Sequence, residues 1–438
     1  MDSDSLLKQI RAVNLDAEFE INAEENSQLK LGVERSVFTG GERVNVSRAA
    51  IHCICKKKSA IFLTSLRGKE SLADGMQKAY KMAKNAGSTD TQRAFSKKQP
   101  PAGKNPLSKK EAMLKESSIV QKIMDGVKVA DSSKHVYSTS AFFSSTINHI
   151  YGANSLGIAC DWAGSCANFS AEIVAKLGAE RSSFSEEAEA VDSSDIDFVT
   201  VARKAAEMAG RMLGAKQAPT FRGQLLIDAE VAGMIMSFLI GAMSGEEILK
   251  GRSFLGGKKG AKIASKAIRL REETNASGSP YNRSFDDDLM PTLSKDLISD
   301  GILKTYLHNL YSSEKMKEPD TGNCFYSPSG SIDTTNVVLK EGRGTAEDLM
   351  QKVKRGIYLI DTGDSPNMVT GDLSAMVLNG YYVEDGMTVY PVKETMFGIN
   401  LLDLMKKVSA IGSDTVKLDG MAVPSILVDD VQISGKKN

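Results

Sequence analysis

The amino-acid sequence predicts an α+β fold with two domains, an N-terminal sheet-and-helix domain at residues 1–220 and a β-rich C-terminal domain at residues 221–438. Within residues 1–220, strand-like segments followed by a helix-like segment occur twice, which indicates helices packed on one face of sheets and an internal structural duplication. Residues 221–438 contain many short strand patterns and few helical ones. A chain of 438 residues is long enough to bury a hydrophobic core in each domain.

The first half of the N-terminal domain is predicted to be a meander of strands between two helices. Apolar residues on one helical stripe predict helices at both ends, and alternating apolar residues predict strands with one wet face. The Gly40–Gly41 pair predicts a hairpin turn between two of these strands. The predicted helices lie at residues 5–13 and 70–86, and the predicted strands at 17–21, 29–33, 44–55 and 60–64.

The second half of this domain follows a loop rich in proline and lysine at residues 87–108. Ser108 and Glu111 match a capping box, which predicts a helix from Ser108 to about Asp125. A helix at 195–213 ends at Gly214, a typical helix stop. Between these helices, strand patterns lie at residues 135–143, 146–151, 155–162, 169–175 and 180–186, with a turn at 152–154.

The most apolar stretch of the chain is a predicted helix at residues 229–243, which follows a short strand at 224–227. Asp228 is a suitable N-cap, and Glu230 places a negative charge in the first turn, where the helix dipole favours it. Ser237 is the only polar residue from 231 to 243, so we expect the helix to be buried on all sides. It is too short to span a membrane, which takes about 20 residues. Small residues recur every four positions and predict close backbone packing, at Ala229, Gly233, Ser237, Gly241 and Gly245.

The rest of the C-terminal domain is predicted to consist mainly of strands. Asp300–Gly301 and Asp385–Gly386 mark hairpin turns. Thr345 and Asn400 are expected to cap short helices that end near residues 354 and 408. The predicted strands lie at residues 263–270, 296–299, 302–307, 331–339, 357–361 and 425–433, with a loop at 275–283.

The overall charge restricts the classes of partner. Lysine plus arginine and aspartate plus glutamate each number 55, and this balance argues against nucleic acid as the main partner, because phosphate binding needs a basic surface. Five cysteines, an odd number, favour free thiols in a reducing cytoplasm. The first residues show no signal-peptide pattern, and no apolar run reaches membrane length. We therefore expect a cytoplasmic protein without a membrane anchor.

Several residues invite a catalytic or metal-binding interpretation. No two of the four histidines have helical ligand spacing, which favours structural roles over a metal site. Cys160 and Cys166, with His149, suggest a thiol nucleophile, although no nucleophile motif supports it. The acidic segment 286–288 is compatible with a divalent cation, and loop solvation or capping is the commoner use of such residues. The Gly- and Lys-rich segment 251–259 lacks the spacing of a phosphate-binding loop.

The chain resembles the TldD/PmbA family, the "modulator of DNA gyrase" proteins regarded as peptidase subunits, over nearly its whole length and most strongly in its second half. The resemblance rests on the helix at 229–243, on the segment that continues to Gly256, and on sequence segments at 284–292, 301–312, 321–323, 369–374 and 380–392. The last two are similar to the family's Val-Thr-Gly-Asp-aromatic-Ser and Gly-aromatic-x-Ile-Glu-Asn-Gly patterns. Leu373 stands in place of the usual aromatic residue, so this chain is a divergent member.

The resemblance implies a subunit without its own catalytic zinc. In the TldD branch, the helix carries a His-Glu-x-x-x-His zinc motif. Ala229 and Met234 occupy the positions of the two histidines here, and Glu230 keeps the acid. A further zinc-ligand cysteine of that branch, near the end of the chain, also has no counterpart, because the last cysteine here is Cys324. Neither alanine nor methionine binds Zn²⁺ in such sites. The chain therefore resembles the PmbA or TldE branch, with no catalytic residues and no metal of its own, and zinc is expected in a TldD-type catalytic partner.

The resemblance also implies a role in peptide processing. The chain is expected to be inactive alone and to form one wall of a chamber that holds extended or unfolded peptides once the TldD-type subunit is bound. The wall is expected to include Val369, Thr370, Gly371, Asp372 and Leu373. Without its partner, the chain could form homo-oligomers. Two alternatives remain open: an independently active hydrolase that uses thiols or an unrecognised metal site, and a regulatory protein that binds gyrase or DNA.

Overall fold

The computed structural model describes residues 1–67, 71–87, 94–325 and 331–436, and it confirms the α+β fold. All strands of the first sheet precede residue 191, and all strands of the other two sheets follow residue 220. No helix among the described residues has both the length and the apolar character that crossing a membrane requires.

The first 211 residues contain five helices and six strands among the described residues, and the strands form a single sheet. In chain order these are α1 (Ser3–Ala12), β1 (Glu18–Glu34), β2 (Val37–Cys55), β3 (Lys58–Ser65), α2 (Leu72–Asn85), α3 (Lys109–Ala112), α4 (Glu116–Asp131), β4 (Val136–Asn154), β5 (Ala159–Leu177), β6 (Glu180–Ala190) and α5 (Phe198–Arg211). A short 3₁₀ turn at Ser193–Asp195 precedes α5.

This sheet has the strand order β3-β2-β1-β4-β5-β6, which is symmetrical about the β1–β4 pair. Each half is a three-stranded meander with helices on one face. Helix α2 packs on β2 and β3 of the first half, α1 lies beside it against the ends of β4 and β5, and α4 and α5 cover the rest of the second half. The predicted recurrence of strands followed by a helix is therefore present, with the two halves fused into one continuous antiparallel sheet.

The first hairpin does not turn where the sequence predicts. Arg35 and Ser36 form the turn with φ values of 49° and 64°, whereas Gly40–Gly41 lies inside β2. Glycine is needed at 41 because a Cβ atom there would collide with the Leu31 side chain on β1. The prediction was wrong because Gly41 serves close approach between two strands and Gly40, with φ 118°, lies beside a register shift in the β1–β2 pair, so neither glycine forms the turn.

Other N-terminal boundaries also differ from the predictions. Five predicted strands between 135 and 186 form the three long strands β4, β5 and β6, and residues 152–154 lie inside or at the end of β4. The helix predicted from Ser108 is divided into α3 and α4 by residues 113–115. Ser108 caps α3 by accepting a hydrogen bond from Glu111 N, but the Glu111 carboxylate accepts from Ser145 Oγ and Ser193 N and does not close a capping box. Residues 94–108 contain neither helix nor strand. Residues 88–93 of the predicted loop and Glu70 of a predicted helix lie outside the described residues.

The second part of the chain forms two further sheets around a central helix. Its helices are α6 (Ala229–Ala242), α7 (Gly245–Leu249), α8 (Leu310–Met316), α9 (Ala346–Met350) and α10 (Leu401–Lys406). Its strands are β7 (Phe221–Ile227), β8 (Leu270–Glu272), β9 (Lys295–Ser299), β10 (Ile302–Leu303), β11 (Val337–Leu339), β12 (Arg355–Asp361), β13 (Asp372–Val377), β14 (Asn379–Glu384), β15 (Met387–Pro391), β16 (Thr395–Asn400), β17 (Val408–Ile411), β18 (Val416–Leu418), β19 (Met421–Val423) and β20 (Ile426–Ser434).

The larger of these sheets has the order β13-β16-β20-β7-β12-β14-β15, with β17 paired to β20. Strand β20 thus lies between β7 and β16, although it follows β7 by about 205 residues. The smaller sheet has the order β10-β9-β8-β11-β19-β18. Helix α6 packs against β12 of the larger sheet and β18 and β19 of the smaller one, and it contributes to the largest core of this region.

Both predicted Asp-Gly hairpins are confirmed. Asp300 and Gly301 have positive φ values of 52° and 77°, and Asp385 and Gly386 have values of 46° and 79°. The strand predicted at 263–270 was wrong, since only Leu270 of that segment belongs to a strand. The strand predicted at 331–339 is reduced to β11. Residues 263–269 form a loop from which buried apolar side chains pack, and the buried residues just before β11 are the polar Thr335 and Asn336.

Candidate functional site

The N-terminal end of α6 is held where two parallel strands, β7 and β12, end side by side. Asp228 caps the helix, and its Oδ1 atom accepts a hydrogen bond from Glu230 N at 3.2 Å. Its Oδ2 atom accepts a hydrogen bond from the Tyr358 hydroxyl of β12 at 2.6 Å. The cap is therefore joined to the sheet, and this fixes the position of the first helical turn.

Glu230 lies in that first turn in an acidic environment. Burial and, to a smaller extent, the nearby carboxylates of Glu186, Asp228 and Glu187 together raise the pKa of Glu230 to about 8, while Lys204 acts in the opposite direction. Burial also raises the pKa of Asp228. Glu230 is consequently a neutral acid at pH 7 that is able to donate a hydrogen bond. Sequence reasoning missed Glu186 and Tyr358, because they reach the helix from distant strands and carry no local signal.

The positions that correspond to zinc ligands in the TldD motif hold apolar side chains. Ala229 is buried, and Met234 is half-buried against the core. Neither offers a nitrogen, oxygen or thiolate to a metal, so these residues do not fit Zn²⁺. Within the described ranges, no group of three or more His, Cys, Asp or Glu side chains has the geometry of a metal site.

Helix α6 is not buried on all sides, which corrects the expectation from its composition. Ser237 is exposed, and the side chains of Met234 and Phe238 are partly exposed beside it. We call the open face formed by Glu230, Met234, Ser237, Phe238 and Gly241 the α6 surface. This face carries the apolar side chains of Met234 and Phe238, although the described part of the chain shields it only in part.

The row of small residues on α6 contacts different structures along its length. A Cβ atom at Gly233 would lie 3.7 Å from Met421, and one at Gly241 would lie 3.6 Å from the Met368 methyl group. Gly245 directly abuts the ring of His308, whose side chain is fully buried. Only the Gly245 end of the row requires the absence of a side chain for close packing within this chain.

The segment from Val369 to Leu373 lies at the other end of the α6 surface from Glu230. Phe254 N donates to Met368 O at 3.0 Å, and the Asn367 side chain accepts from the N–H groups of Val369 and Thr370, which fixes the turn. Val369, Thr370 and Asp372 are exposed, whereas Gly371 and the side chain of Leu373 are buried. From Glu230 to Gly241 the helix rises about 16 Å. The predicted wall residues thus lie next to the helix, but Leu373 faces the core.

The cysteines are poorly placed for nucleophilic chemistry. Burial raises the pKa of both Cys160 and Cys166 to about 12, and it raises that of Cys53 to the same value. A reactive thiol needs a lowered pKa, so these groups show the opposite of activation. The acidic segment 286–288 also has a structural role, since Asp286 accepts hydrogen bonds from the backbone N–H groups of Asp288, Met290 and Cys324.

Comparison with known families identifies two matching domain models. Residues 101–213 match the PmbA/TldA metallopeptidase central domain, and residues 220–435 match the PmbA/TldA metallopeptidase C-terminal domain. A metalloprotease PmbA homolog from Buchnera aphidicola is 27% identical over 234 residues, which are 53% of this chain and 51% of the relative. The aligned part spans about half the length of the curated relatives that the chain matches.

Solved structures share the fold over nearly the whole chain. TldE from Thermococcus kodakarensis has a TM-score of 0.88 and 22% identity, and the match covers 99% of both chains. A Thermotoga maritima protein, provisionally named a modulator of a DNA gyrase, has a TM-score of 0.89 and 21% identity and covers 98% of both chains.

Proposed function

Because the chain belongs to the PmbA/TldD family, we propose that it is a non-catalytic TldE-type subunit of a peptidase complex whose TldD-type partner binds zinc and cleaves the peptide. The observation that carries this proposal is the replacement of both helix ligands by Ala229 and Met234, with Glu230 retained. An acid without a metal cannot activate water in the way that a metallopeptidase requires.

In this proposal, the chain shapes the chamber in which the peptide lies. The α6 surface and the exposed side chains of Val369, Thr370 and Asp372 form one wall. Strand β13 begins at Asp372 and is the terminal strand of its sheet. Residues 364–367 cover part of its outer edge, since Met376 N donates to Asp364 Oδ2 at 2.7 Å and Asn367 N donates to Asp372 O at 2.8 Å, so a further strand would pair with the rest of this edge. Pairing along a strand edge holds an extended peptide through its main chain and gives little sequence selectivity. This suits a complex that processes unfolded peptides in the cytoplasm.

The test is cleavage of an unfolded peptide by this chain alone, by the TldD-type subunit of its host alone, and by the mixture, with zinc content measured for each. We expect activity from the mixture only, loss of that activity with a chelator, and less than 0.1 zinc per isolated chain, roughly the level of a chain without ligands. Cleavage by the isolated chain that survives a chelator would overturn the proposal.

The thiol hydrolase alternative is disfavoured by the raised pKa values of Cys160 and Cys166. Its own test is treatment of the isolated chain with iodoacetamide. A peptidase activity that this reagent abolishes would favour the alternative, whereas a mixture that stays active after the chain has been treated would leave the subunit proposal standing.

A further inference from the structure

A cavity of about 350 Å³ lies between the N-terminal sheet and the loop that precedes β9. Its floor is the sheet face opposite helices α1 and α2, and Asn22, Asn148 and Trp162 lie there on β1, β4 and β5. Its roof includes Arg283 and Phe325. This volume falls within the range of small-ligand sites, which occur preferentially where two domains meet. The cavity is distinct from the α6 surface.

Three polar atoms of the residues that line this cavity are shielded from solvent and have no hydrogen-bond partner. They are Asn22 Oδ1, Asn148 Oδ1 and Arg283 Nε. Seven such side-chain atoms occur among the described residues, so nearly half of them belong to this one cavity. Native proteins leave few buried polar groups unsatisfied. Their concentration here indicates partners that the described part of the chain does not supply.

The charges of the cavity are already compensated. Arg48 pairs with Glu24 at 2.7 Å, and Arg283 Nη2 pairs with Asp287 at 2.6 Å. A charged ligand would have to give up its hydration without gaining an opposite charge, which is costly. The lining therefore favours a neutral ligand that offers N–H donors to two amide oxygens and a carbonyl acceptor to one N–H group.

The remaining wall is largely apolar and partly aromatic. Leu63 and Ile150 contribute aliphatic side chains. The Arg283 guanidinium lies 5.1 Å from the Phe285 ring centroid, 5.5 Å from that of Phe325 and 5.9 Å from that of Trp162. The donor group thus has aromatic neighbours, and apolar groups on the ligand have surfaces to contact.

We propose that this cavity binds an uncharged segment of peptide with apolar side chains. Peptide N–H groups donate to Asn22 Oδ1 and Asn148 Oδ1, and a peptide carbonyl accepts from Arg283 Nε, with small rotations of these side chains exposing the shielded atoms. The amide chemistry follows from the cavity, whereas the choice of peptides as its natural source rests on the proposed function. The cavity is a recognition site, and no bond is broken there.

The only tryptophan of the chain lies in this cavity, so intrinsic fluorescence reports on its occupancy. The full chain, without any partner subunit, is titrated with N-acetyl-leucyl-leucinamide, and binding is followed by Trp162 emission and by calorimetry. We expect saturable binding of one molecule per chain. N-acetyl-leucyl-leucine, which carries a carboxylate, should bind at least about tenfold more weakly. The variant Trp162→Phe should abolish the fluorescence change and retain the calorimetric heat.

The decisive variant is Asn148→Leu, which removes an acceptor that has no hydrogen-bond partner among the described residues. It should weaken binding of the dipeptide amide about tenfold without lowering the melting temperature, because no internal hydrogen bond is lost. Asn45→Leu makes the same change at an exposed position of β2, away from the cavity, and should leave binding unchanged.

Absence of saturable binding, or unchanged binding by Asn148→Leu, would overturn the proposal. A lowered melting temperature of Asn148→Leu together with full binding would also overturn it, since it would show that Asn148 serves the fold. These results are independent of whether the chain assembles with a TldD-type partner, so the two proposals fail separately.

Discussion

Glu230 should make this chain less stable as the pH rises from about 5 to 8. Its pKa is raised from an ordinary value of 4.5 to about 8, first by burial and then by the charges of Glu186 and Asp228. Below pH 4.5 both states hold the proton, and between the two pKa values only the folded chain keeps it. The stabilising contribution is therefore complete below the unfolded pKa and is lost as the pH passes through the folded pKa.

The size of the effect follows from the width of this window. Each pH unit between the two pKa values corresponds to about 1.4 kcal/mol, which gives at most about 5 kcal/mol for the whole window. The Glu230 side chain is partly exposed, so solvent screening reduces this figure. We expect roughly 2–3 kcal/mol of destabilisation at pH 8.5 relative to pH 5.

The assay is urea unfolding of the wild type and of Glu230→Gln at pH 5, 7 and 8.5, followed by circular dichroism. The variant cannot ionise, so its stability advantage should be near zero at pH 5 and grow to roughly 2–3 kcal/mol at pH 8.5. Glu347→Gln is a matched control, because Glu347 occupies the first turn of α9 and is exposed. A Glu230→Gln advantage that is equal at pH 5 and pH 8.5 would refute the reasoning.

Three further outcomes can be measured. Lys295→Met should cost about 3–5 kcal/mol in urea unfolding, because it leaves the fully buried Glu272 carboxylate without its ion pair at 2.6 Å. Glu272→Gln in the same chain should recover part of the loss, because it removes the unpaired charge and keeps an oxygen for the Asn323 and Thr335 donors; an unchanged midpoint for the single variant would contradict this. Gly241→Leu should prevent co-elution with the TldD-type subunit on size exclusion. Gly241→Ala should still assemble, because the added Cβ atom would lie 3.6 Å from the Met368 methyl group, an ordinary contact distance. Normal assembly of the leucine variant would exclude the helix from the interface. At pH 8, Cys160 and Cys166 should react with Ellman's reagent at least about tenfold more slowly in the folded chain than in urea, because burial raises the pKa of both thiols to about 12. Fast labelling of the folded chain would count against the burial of these thiols.

Elements with local chemical signals could be predicted from the sequence. The Asp228 cap and the length of α6 follow from one capping side chain and a continuous apolar run. The Asp300–Gly301 and Asp385–Gly386 turns need positive φ values that these residue pairs readily adopt. Each of these signals lies within a few residues of the structure it determines.

Features that depend on distant contacts could not be predicted. The hairpin at Arg35–Ser36 uses residues that seldom mark such turns, and the sequence offered Gly40–Gly41 nearby as a stronger signal. The open face of α6 was hidden because an apolar helix has the same composition whether the chain or a partner covers it. The cavity brings Asn22, Asn148 and Arg283 together from three separate segments, so no local sequence pattern predicts it.

The position of β20 between β7 and β16 has a consequence for synthesis in the cell. At about 5–20 residues per second, the ribosome needs roughly 10–40 s to make β20 after β7 has emerged. Throughout that interval the apolar strand β7 lacks its neighbour β20, until β12 is made it also lacks its other neighbour, and the larger sheet of the C-terminal region has a gap at its centre. The nascent chain must keep this edge from pairing with other chains, which makes translation speed and chaperone access determinants of its yield.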